Sequence, residues 1–150
     1  MIALIQRVTQ AAVVIDSAMV ASIGPGLLVL AAVQRNDGAA QASRLAARLL
    51  QYRVFADGQQ RMNLDVRAVA GELLIVPQFT LAADTRKGNR PGFSHAAAPA
   101  PGEALFHRLV EECRARYERI STGVFGADMQ VSLTNDGPVT FWLEVMPAST

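Results

Sequence analysis

The chain has 150 residues, of which 51% are hydrophobic and 18% charged, and fourteen Lys and Arg against thirteen Asp and Glu leave a formal net charge of +1. This length suits one compact domain spanning residues 1–150 and is too short for two ordinary domains. The balanced charge excludes a disordered, charge-driven chain and a strongly basic nucleic-acid coat protein, so an anionic partner must be met by a local patch.

The first third of the chain is predicted to form β-strands. The segments rich in β-branched residues are 2–8, 12–15 and 19–23. Asp16-Ser17 separates the second segment from the third, so a meander is the simplest arrangement. The continuous apolar run 27–33, which follows Gly24-Pro25-Gly26, has the length of a strand buried on both faces and predicts a central position in a sheet.

Two segments have the periodicity of amphipathic helices. In residues 39–53 apolar side chains recur at spacings of three and four, and Asn36-Asp37-Gly38 immediately before them offers N-capping oxygens. Residues 103–120 repeat this spacing. Cys113 lies on the apolar stripe of this second segment, where a free cysteine behaves as a small hydrophobe, and we predict that it is buried and not catalytic.

Four further strands and one long loop complete the predicted elements. The strands are 54–56, 73–76, 129–133 and 139–145. Residues 82–102 contain three prolines and three glycines and follow neither period, which is typical of a long loop. Since strands and helices alternate without a repeat or a linker, we predict a single α/β domain with mixed sheets and two main helices packed on them.

The residue content bears on compartment and cofactors. A lone cysteine cannot form an internal disulfide, and with only two histidines it cannot supply a four-ligand structural zinc site. The sequence lacks the short motifs of serine hydrolases, P-loop proteins, dinucleotide-binding folds and zinc proteases. It also lacks a signal-peptide pattern and an apolar run of the roughly 18 to 20 residues that span a bilayer. We therefore expect a cytoplasmic protein without metal, cofactor or membrane anchor.

Two short segments are unusual on physical grounds. Pro77 cannot donate a ladder hydrogen bond, so we expect the strand before it to lose its pairing where Gln78 and Thr80 follow. Free backbone N–H groups at such a strand end could bind an oxyanion, and the alternative is an ordinary strand exit. The second segment is Gly137-Pro138, where the alternatives are a plain hairpin turn and a cis Gly-Pro bond that directs two carbonyls one way.

The long loop is also basic. Arg86, Lys87 and Arg90 lie there against a single acid, Asp84. Such a cluster could face phosphate groups, and the alternative is a loop that is merely solvated.

Four segments of this sequence, in this order, resemble the D-aminoacyl-tRNA deacylase family. They are residues 1–8 (MIALIQRV), 78–85 (QFTLAADT), 90–94 (RPGFS) and 135–141 (NDGPVTF). Each motif alone is a weak signal, but the four together extend over nearly the whole chain.

The resemblance implies a cytosolic homodimer with a three-layer α/β/β sandwich fold. Its implied activity is hydrolysis of the ester that joins a D-amino acid, or glycine, to the 3′-terminal adenosine of tRNA. The implied active site lies at the dimer interface, where Gln78, Phe79 and Thr80 of one subunit face Gly137 and Pro138 of the other. There the Gly-Pro bond is cis, and its carbonyls act as a chiral filter that rejects L-aminoacyl esters.

The resemblance also assigns supporting roles. Arg7 matches the position that holds the Gly-Pro element, and Phe93 matches a loop residue near the tRNA terminus. Catalysis is expected to need no cofactor, because main-chain N–H groups near Phe79 and Thr80 stabilise the oxyanion and the 2′-hydroxyl of the substrate activates water. The alternative is Thr80 as nucleophile, which has no evident base to activate it.

One position departs from the family pattern. The family usually has serine where this chain has Pro77, and a sister group that edits L-alanine mischarged on a threonine tRNA resembles this chain there. The motifs at Phe79 and at 137–140 follow the D-specific pattern, which we favour. The alternatives are the L-alanyl-tRNA editor and a non-enzymatic tRNA-binding module.

Overall fold

Eight strands and two α-helices make up the regular structure of the computed structural model, which describes residues 1–147 and 149. In chain order they are β1 (Ile2–Ile15), β2 (Ala18–Ile23), β3 (Gly26–Ala32), α1 (Ala39–Gln51), β4 (Phe55–Ala56), β5 (Met62–Leu64), β6 (Glu72–Pro77), α2 (Pro99–Arg116), β7 (Ile120–Thr122) and β8 (Gln130–Glu144). A short 3-10 helix, Phe79–Ala82, follows β6. The predicted α/β class with two main helices is confirmed.

Six of the strands form one mixed sheet that is nearly closed into a barrel. Its order is β2-β1-β3-β6-β7, with β8 paired to β1, while β4 and β5 form a separate ribbon. β1 pairs antiparallel with β2, β3 and β8, whereas β3–β6 and β6–β7 are parallel. As its continuous apolar run predicts, β3 is buried and lies between β1 and β6.

Apolar side chains fill both sides of this sheet. The larger cluster lies under the two helices and includes Leu45, Leu49 and Leu109. A second cluster on other residues of the same strands includes Leu28 and Leu74, the alternate positions along β3 and β6. No helix of the described chain is both long and apolar enough to cross a membrane.

The prediction of two separate C-terminal strands is wrong. Apart from Met129 and Val145 at their outer ends, segments 129–133 and 139–145 belong to the single strand β8, which pairs with β1 along almost its whole length. Asn135-Asp136-Gly137-Pro138 is therefore a bulge in one strand and not a hairpin turn. Local turn chemistry suggested a reversal of the chain, but pairing with β1 on both sides of the bulge keeps the strand in one direction.

The second helix is displaced from its predicted position at 103–120. It begins at Pro99, because proline is tolerated in the first helical turn, and it ends at Arg116. Ile120 instead starts β7 and pairs with Leu73 of β6.

The predicted N-capping oxygens do not cap α1. Its N-cap is Gly38, whose N–H donates to Oε1 of Gln41 at 2.8 Å. The Asp37 carboxylate accepts instead from the Met1 ammonium at 2.9 Å and from the Gln34 N–H at 2.6 Å.

Candidate active site

An apolar groove of about 950 Å³ opens at the end of β6, beside the start of α2. Pro77, Gln78 and Phe79 form one wall, and Phe93 approaches from the long loop. The rings of Phe79 and Phe93 lie 5.2 Å apart between centroids, and both residues are exposed, at 57% and 43%. Two adjacent exposed phenylalanine rings form a hydrophobic surface of the kind that binds ligands.

The strand end at this groove holds two unpaired backbone donors. Pro77 still belongs to β6, and the Gln78 N–H donates to the Ala31 carbonyl at 2.7 Å, so pairing ends one residue later than predicted. The chain then turns into the 3-10 helix. Among the described residues, the N–H groups of Phe79 and Thr80 have no hydrogen-bond acceptor. Free backbone N–H groups of this kind are suited to stabilise a developing negative charge.

The hydroxyl of Thr80 has an amide neighbour and not a base. Gln78 Nε2 donates to Thr80 Oγ1, and both side chains lie at the surface of the groove end. A hydroxyl that accepts from an amide gains no activation as a nucleophile. The geometry therefore favours main-chain groups over the Thr80 hydroxyl as the chemical agents of this segment.

The Gly-Pro segment forms a compact, exposed loop within β8. Gln6 pairs with Thr140 and Val8 with Asn135, so residues 136–139 lie opposite a single residue of β1, and of these 136–138 are exposed. Asn135 closes the loop, because its Oδ1 accepts from the Val139 N–H at 2.7 Å and its Nδ2 donates to Thr140 Oγ1 at 2.9 Å. The Gly137–Pro138 peptide bond is cis.

Arg7 fastens this loop to the sheet. Its Nε donates to the Asp136 carbonyl at 3.0 Å, and its Nη1 donates to the Val54 carbonyl at 2.7 Å. The carboxylate of Asp136 lies 3.6 Å from Nε, and the arginine side chain is only 17% exposed. Arg7 thus links Asp136, the residue before Gly137, to Val54, the residue before β4.

The residues named from the sequence form two clusters. Gln78, Phe79, Thr80 and Phe93 lie together at the end of β6. The other cluster is the bulge with Arg7, and none of the bulge residues 135–138 lines the groove of the described chain. One copy of the chain therefore does not bring the two motifs into one cavity.

Part of the groove was not predicted from the sequence. Phe125 and Met129 line it from the stretch between β7 and β8. Met129 is held there by the turn, since its sulfur lies 3.4 Å from the Val124 N–H. Met129 was predicted to begin a strand, and nothing in the residues before it indicated that these apolar side chains face the groove.

The lone cysteine does not line the groove of the described chain. Cys113 is buried in the helix-side core as predicted, and burial raises the pKa of its thiol to about 12, so it stays protonated at neutral pH. Within residues 1–147 and 149, no group of three or more His, Cys, Asp or Glu side chains is placed to hold a metal ion.

Comparison with protein families gives a match over most of the chain. A family model described as D-Tyr-tRNA(Tyr) deacylase matches residues 4–144. A protein of Nitrosococcus oceani called D-aminoacyl-tRNA deacylase is 58% identical, over 99% of this chain and 96% of that protein. A protein of Janthinobacterium with the same name is also 58% identical, over 98% of this chain and 99% of its own length.

Two solved structures share the fold. A c-Myc DNA unwinding element binding protein superposes with a TM-score of 0.94 at 36% identity, over 97% of this chain and 99% of that one. A probable eukaryotic D-amino acid tRNA deacylase superposes with a TM-score of 0.79 at 19% identity, over 96% and 98% of the two chains.

Proposed function

Because this chain belongs to the D-Tyr-tRNA(Tyr) deacylase family and is a hydrolase that deacylates D-aminoacyl-tRNA, we propose that its site is assembled from two subunits and works mainly through main-chain groups. The observation that carries the proposal is the separation of the two motif clusters. Each is ordered by its own hydrogen bonds, yet the groove beside Phe79 lacks the Gly-Pro loop of its own chain. A second copy supplies the missing half.

The chemical step is hydrolysis of an ester that is already activated. Water adds to the carbonyl carbon, and the negative charge on the carbonyl oxygen is stabilised by the N–H groups of Phe79 and Thr80. The bond to the ribose 3′-oxygen then breaks, and a proton passes from the attacking water to that oxygen through the neighbouring 2′-hydroxyl of the substrate. The products are the free amino acid and tRNA, with no metal or cofactor consumed.

The Gly-Pro loop of the partner subunit selects the stereochemistry. The carbonyl oxygens of Gly137 and Pro138 occupy the space that the Cβ of an L-residue needs, while the side chain of a D-residue points elsewhere. Arg7 and Asn135 keep those oxygens in place through the hydrogen bonds to Asp136 and Val139. Rejection then depends on steric clash and desolvation and not on the identity of the side chain.

A homodimer accounts for the exposed apolar surface around the groove. Phe79, Phe93 and Val131 are all exposed there, and β8 has no strand partner on its outer edge in the described chain. An open edge strand and an apolar groove are features that a second copy can cover. We include in this proposal a three-layer α/β/β arrangement. The helices cover one face of the sheet, and the second apolar cluster lies on the other face.

Phe93 is proposed to bind the 3′-terminal adenosine. Its ring packs against Phe79, and the residue remains 43% exposed at the groove mouth. Nucleobases stack on such exposed aromatic rings without any requirement for a particular base. This contact orients the ribose so that the ester lies next to the free N–H groups.

Hydrolysis of four aminoacyl-tRNAs tests the proposed specificity. The purified protein is expected to cleave D-Tyr-tRNA and Gly-tRNA, because glycine has no Cβ to meet the filter, and to spare L-Tyr-tRNA. L-Ala-tRNA distinguishes the sister activity that Pro77 suggests, and we expect it to be spared. Equal cleavage of D-Tyr-tRNA and L-Tyr-tRNA would contradict the filter, and cleavage of L-Ala-tRNA in preference to D-Tyr-tRNA would favour the L-alanyl-tRNA editor.

A further inference from the structure

The loop between the 3-10 helix and Phe93 lies next to the proposed ester site. It carries two cations, Lys87 and Arg90, that have no ion-pair partner in the described chain. Its residues 85–91 are all exposed. Two backbone hydrogen bonds close its base, from the Asp84 N–H to the Gly92 carbonyl at 2.7 Å and from the Gly92 N–H to the Asp84 carbonyl at 3.0 Å. The loop is therefore a small projecting hairpin with a fixed base.

One of its three cations is already neutralised. Arg86 binds the Asp84 carboxylate in a bidentate manner, with Nε–Oδ1 at 2.8 Å and Nη2–Oδ2 at 2.7 Å. The same hydrogen bonds hold the pKa of Asp84 far below its usual range, so this pair stays ionised at neutral pH. His95 also faces Asp84, with Nε2 at 3.7 Å from Oδ2.

Lys87 and Arg90 are different from Arg86. Within residues 1–147 and 149, neither side chain has an ion pair or a hydrogen-bond acceptor, although both stand on the same closed loop. Because the single acid of the loop is occupied by Arg86, these two charges have no local compensation. Exposed Lys and Arg without acidic partners are the groups that bind nucleic-acid phosphates.

Both ends of this loop lead directly to the proposed ester site. Asp84 follows Ala83, whose N–H donates to the Thr80 carbonyl at 3.1 Å, and Gly92 precedes Phe93, which packs on Phe79. A polynucleotide whose 3′-terminal ribose lies at Phe79 must continue past this region. Along the chain, the Lys and Arg residues nearest to Phe79 and to Phe93 are those of this loop.

We propose that Lys87 and Arg90 bind backbone phosphates of the single-stranded 3′ end of the tRNA, while the Asp84–Arg86 pair keeps the loop in position. This inference rests on the proposed function, since it takes the ester to lie beside Phe79. The two contacts are independent of sequence, so they add affinity for any tRNA end and leave the stereochemical choice to the Gly-Pro loop.

The test is the double variant Lys87→Gln/Arg90→Gln. For D-Tyr-tRNA we expect KM to rise about tenfold, the order expected for two exposed charge contacts, with kcat unchanged. The slope of log(1/KM) against log salt concentration should become shallower by about 1.4, since each phosphate contact on a single strand contributes about 0.7. A matched control is Arg44→Gln/Arg114→Gln, which removes the same charge from exposed helix positions without ion pairs in the described chain.

Two further measurements distinguish a failure of the phosphate contacts from a failure of the proposed function. The substrate 3′-O-(D-tyrosyl)adenosine carries no phosphate, so its hydrolysis should be equal in the double variant and the parent protein. Binding of deacylated tRNA is measured by fluorescence anisotropy, which reports on the loop even if the parent protein fails to hydrolyse the ester. An unchanged salt slope in the double variant, an equal loss in the control pair, or a loss on the adenosine ester would each overturn the phosphate contacts.

Discussion

Replacing Phe79 by proline is expected to lower kcat for D-Tyr-tRNA about 100- to 1000-fold relative to Phe79→Ala, because proline removes one proposed oxyanion donor. Both variants lose the aromatic ring, so the comparison isolates the main-chain N–H. Proline fits this site sterically, since Phe79 is the first residue of the 3-10 helix and Gln78, with φ −142° and ψ 74°, lies outside the α region. Single-turnover kinetics at saturating enzyme measures the chemical step.

Thr80→Ala supplies the contrast for this prediction. It removes the hydroxyl but keeps the main-chain N–H, and we expect a loss of less than about tenfold, since no base activates that hydroxyl. A total loss of activity in folded Thr80→Ala, with equal activity of Phe79→Pro and Phe79→Ala, would restore Thr80 as the nucleophile. Thermal unfolding midpoints confirm that each variant is folded before its rate is interpreted.

Replacing Gly137 by alanine is expected to lower the ratio of kcat/KM for D-Tyr-tRNA over L-Tyr-tRNA by about 100-fold, the order that a displacement of about 1 Å costs. An alanine Cβ there would lie 2.5 Å from Val139 Cγ2 and 2.8 Å from the Val139 nitrogen. Gly137 also has φ +152°, where a side chain is strained. The loop must shift, and its two carbonyls shift with it.

The matched control is Gly24→Ala, because a Cβ at Gly24 would meet nothing within 4 Å. It should leave the D-to-L ratio of the parent protein unchanged. Arg7→Gln should move the ratio in the same direction as Gly137→Ala, since it removes the cation that holds the Asp136 carbonyl. If both loop variants kept the parent ratio, stereochemical selection would have to lie elsewhere.

Much of the fold follows from local sequence patterns, but two of the errors in its prediction arise from long-range pairing. Turn chemistry at Gly137-Pro138 predicted a hairpin, yet pairing with β1 on either side of the bulge makes β8 one strand. Apolar spacing extended the second helix to Ile120, yet the Tyr117 hydroxyl donates to the Gly71 carbonyl at 2.6 Å and Ile120 pairs with Leu73. A residue's partner across the sheet is not encoded in its neighbours along the chain.

Some features of the candidate site can likewise be predicted from residue types, and others depend on the fold. The backbone N–H groups without acceptors after Pro77 and the cis Gly137–Pro138 bond were both considered from residue types, because proline and glycine restrict or free the main chain wherever they occur. The apolar wall formed by Phe125 and Met129 cannot be predicted in this way, since aromatic and methionine side chains in a loop are equally compatible with the core. The separation of the two clusters also depends on the sheet as a whole.

Combining an inactive variant and a non-selective variant in one dimer tests the shared site most directly. Subunits of Phe79→Pro and Gly137→Ala are mixed in equal amounts, exchanged under mild denaturant and refolded, and heterodimers are quantified by native mass spectrometry. In a heterodimer one site combines both substituted residues, while the other combines an intact Phe79 with an intact Gly137 loop. If the site is shared, the isolated heterodimer hydrolyses D-Tyr-tRNA at about half the parent rate and keeps the parent D-to-L ratio, because its one working site combines an intact Phe79 with an intact Gly137 loop. A heterodimer with the lowered D-to-L ratio of Gly137→Ala would show that each chain carries its site alone.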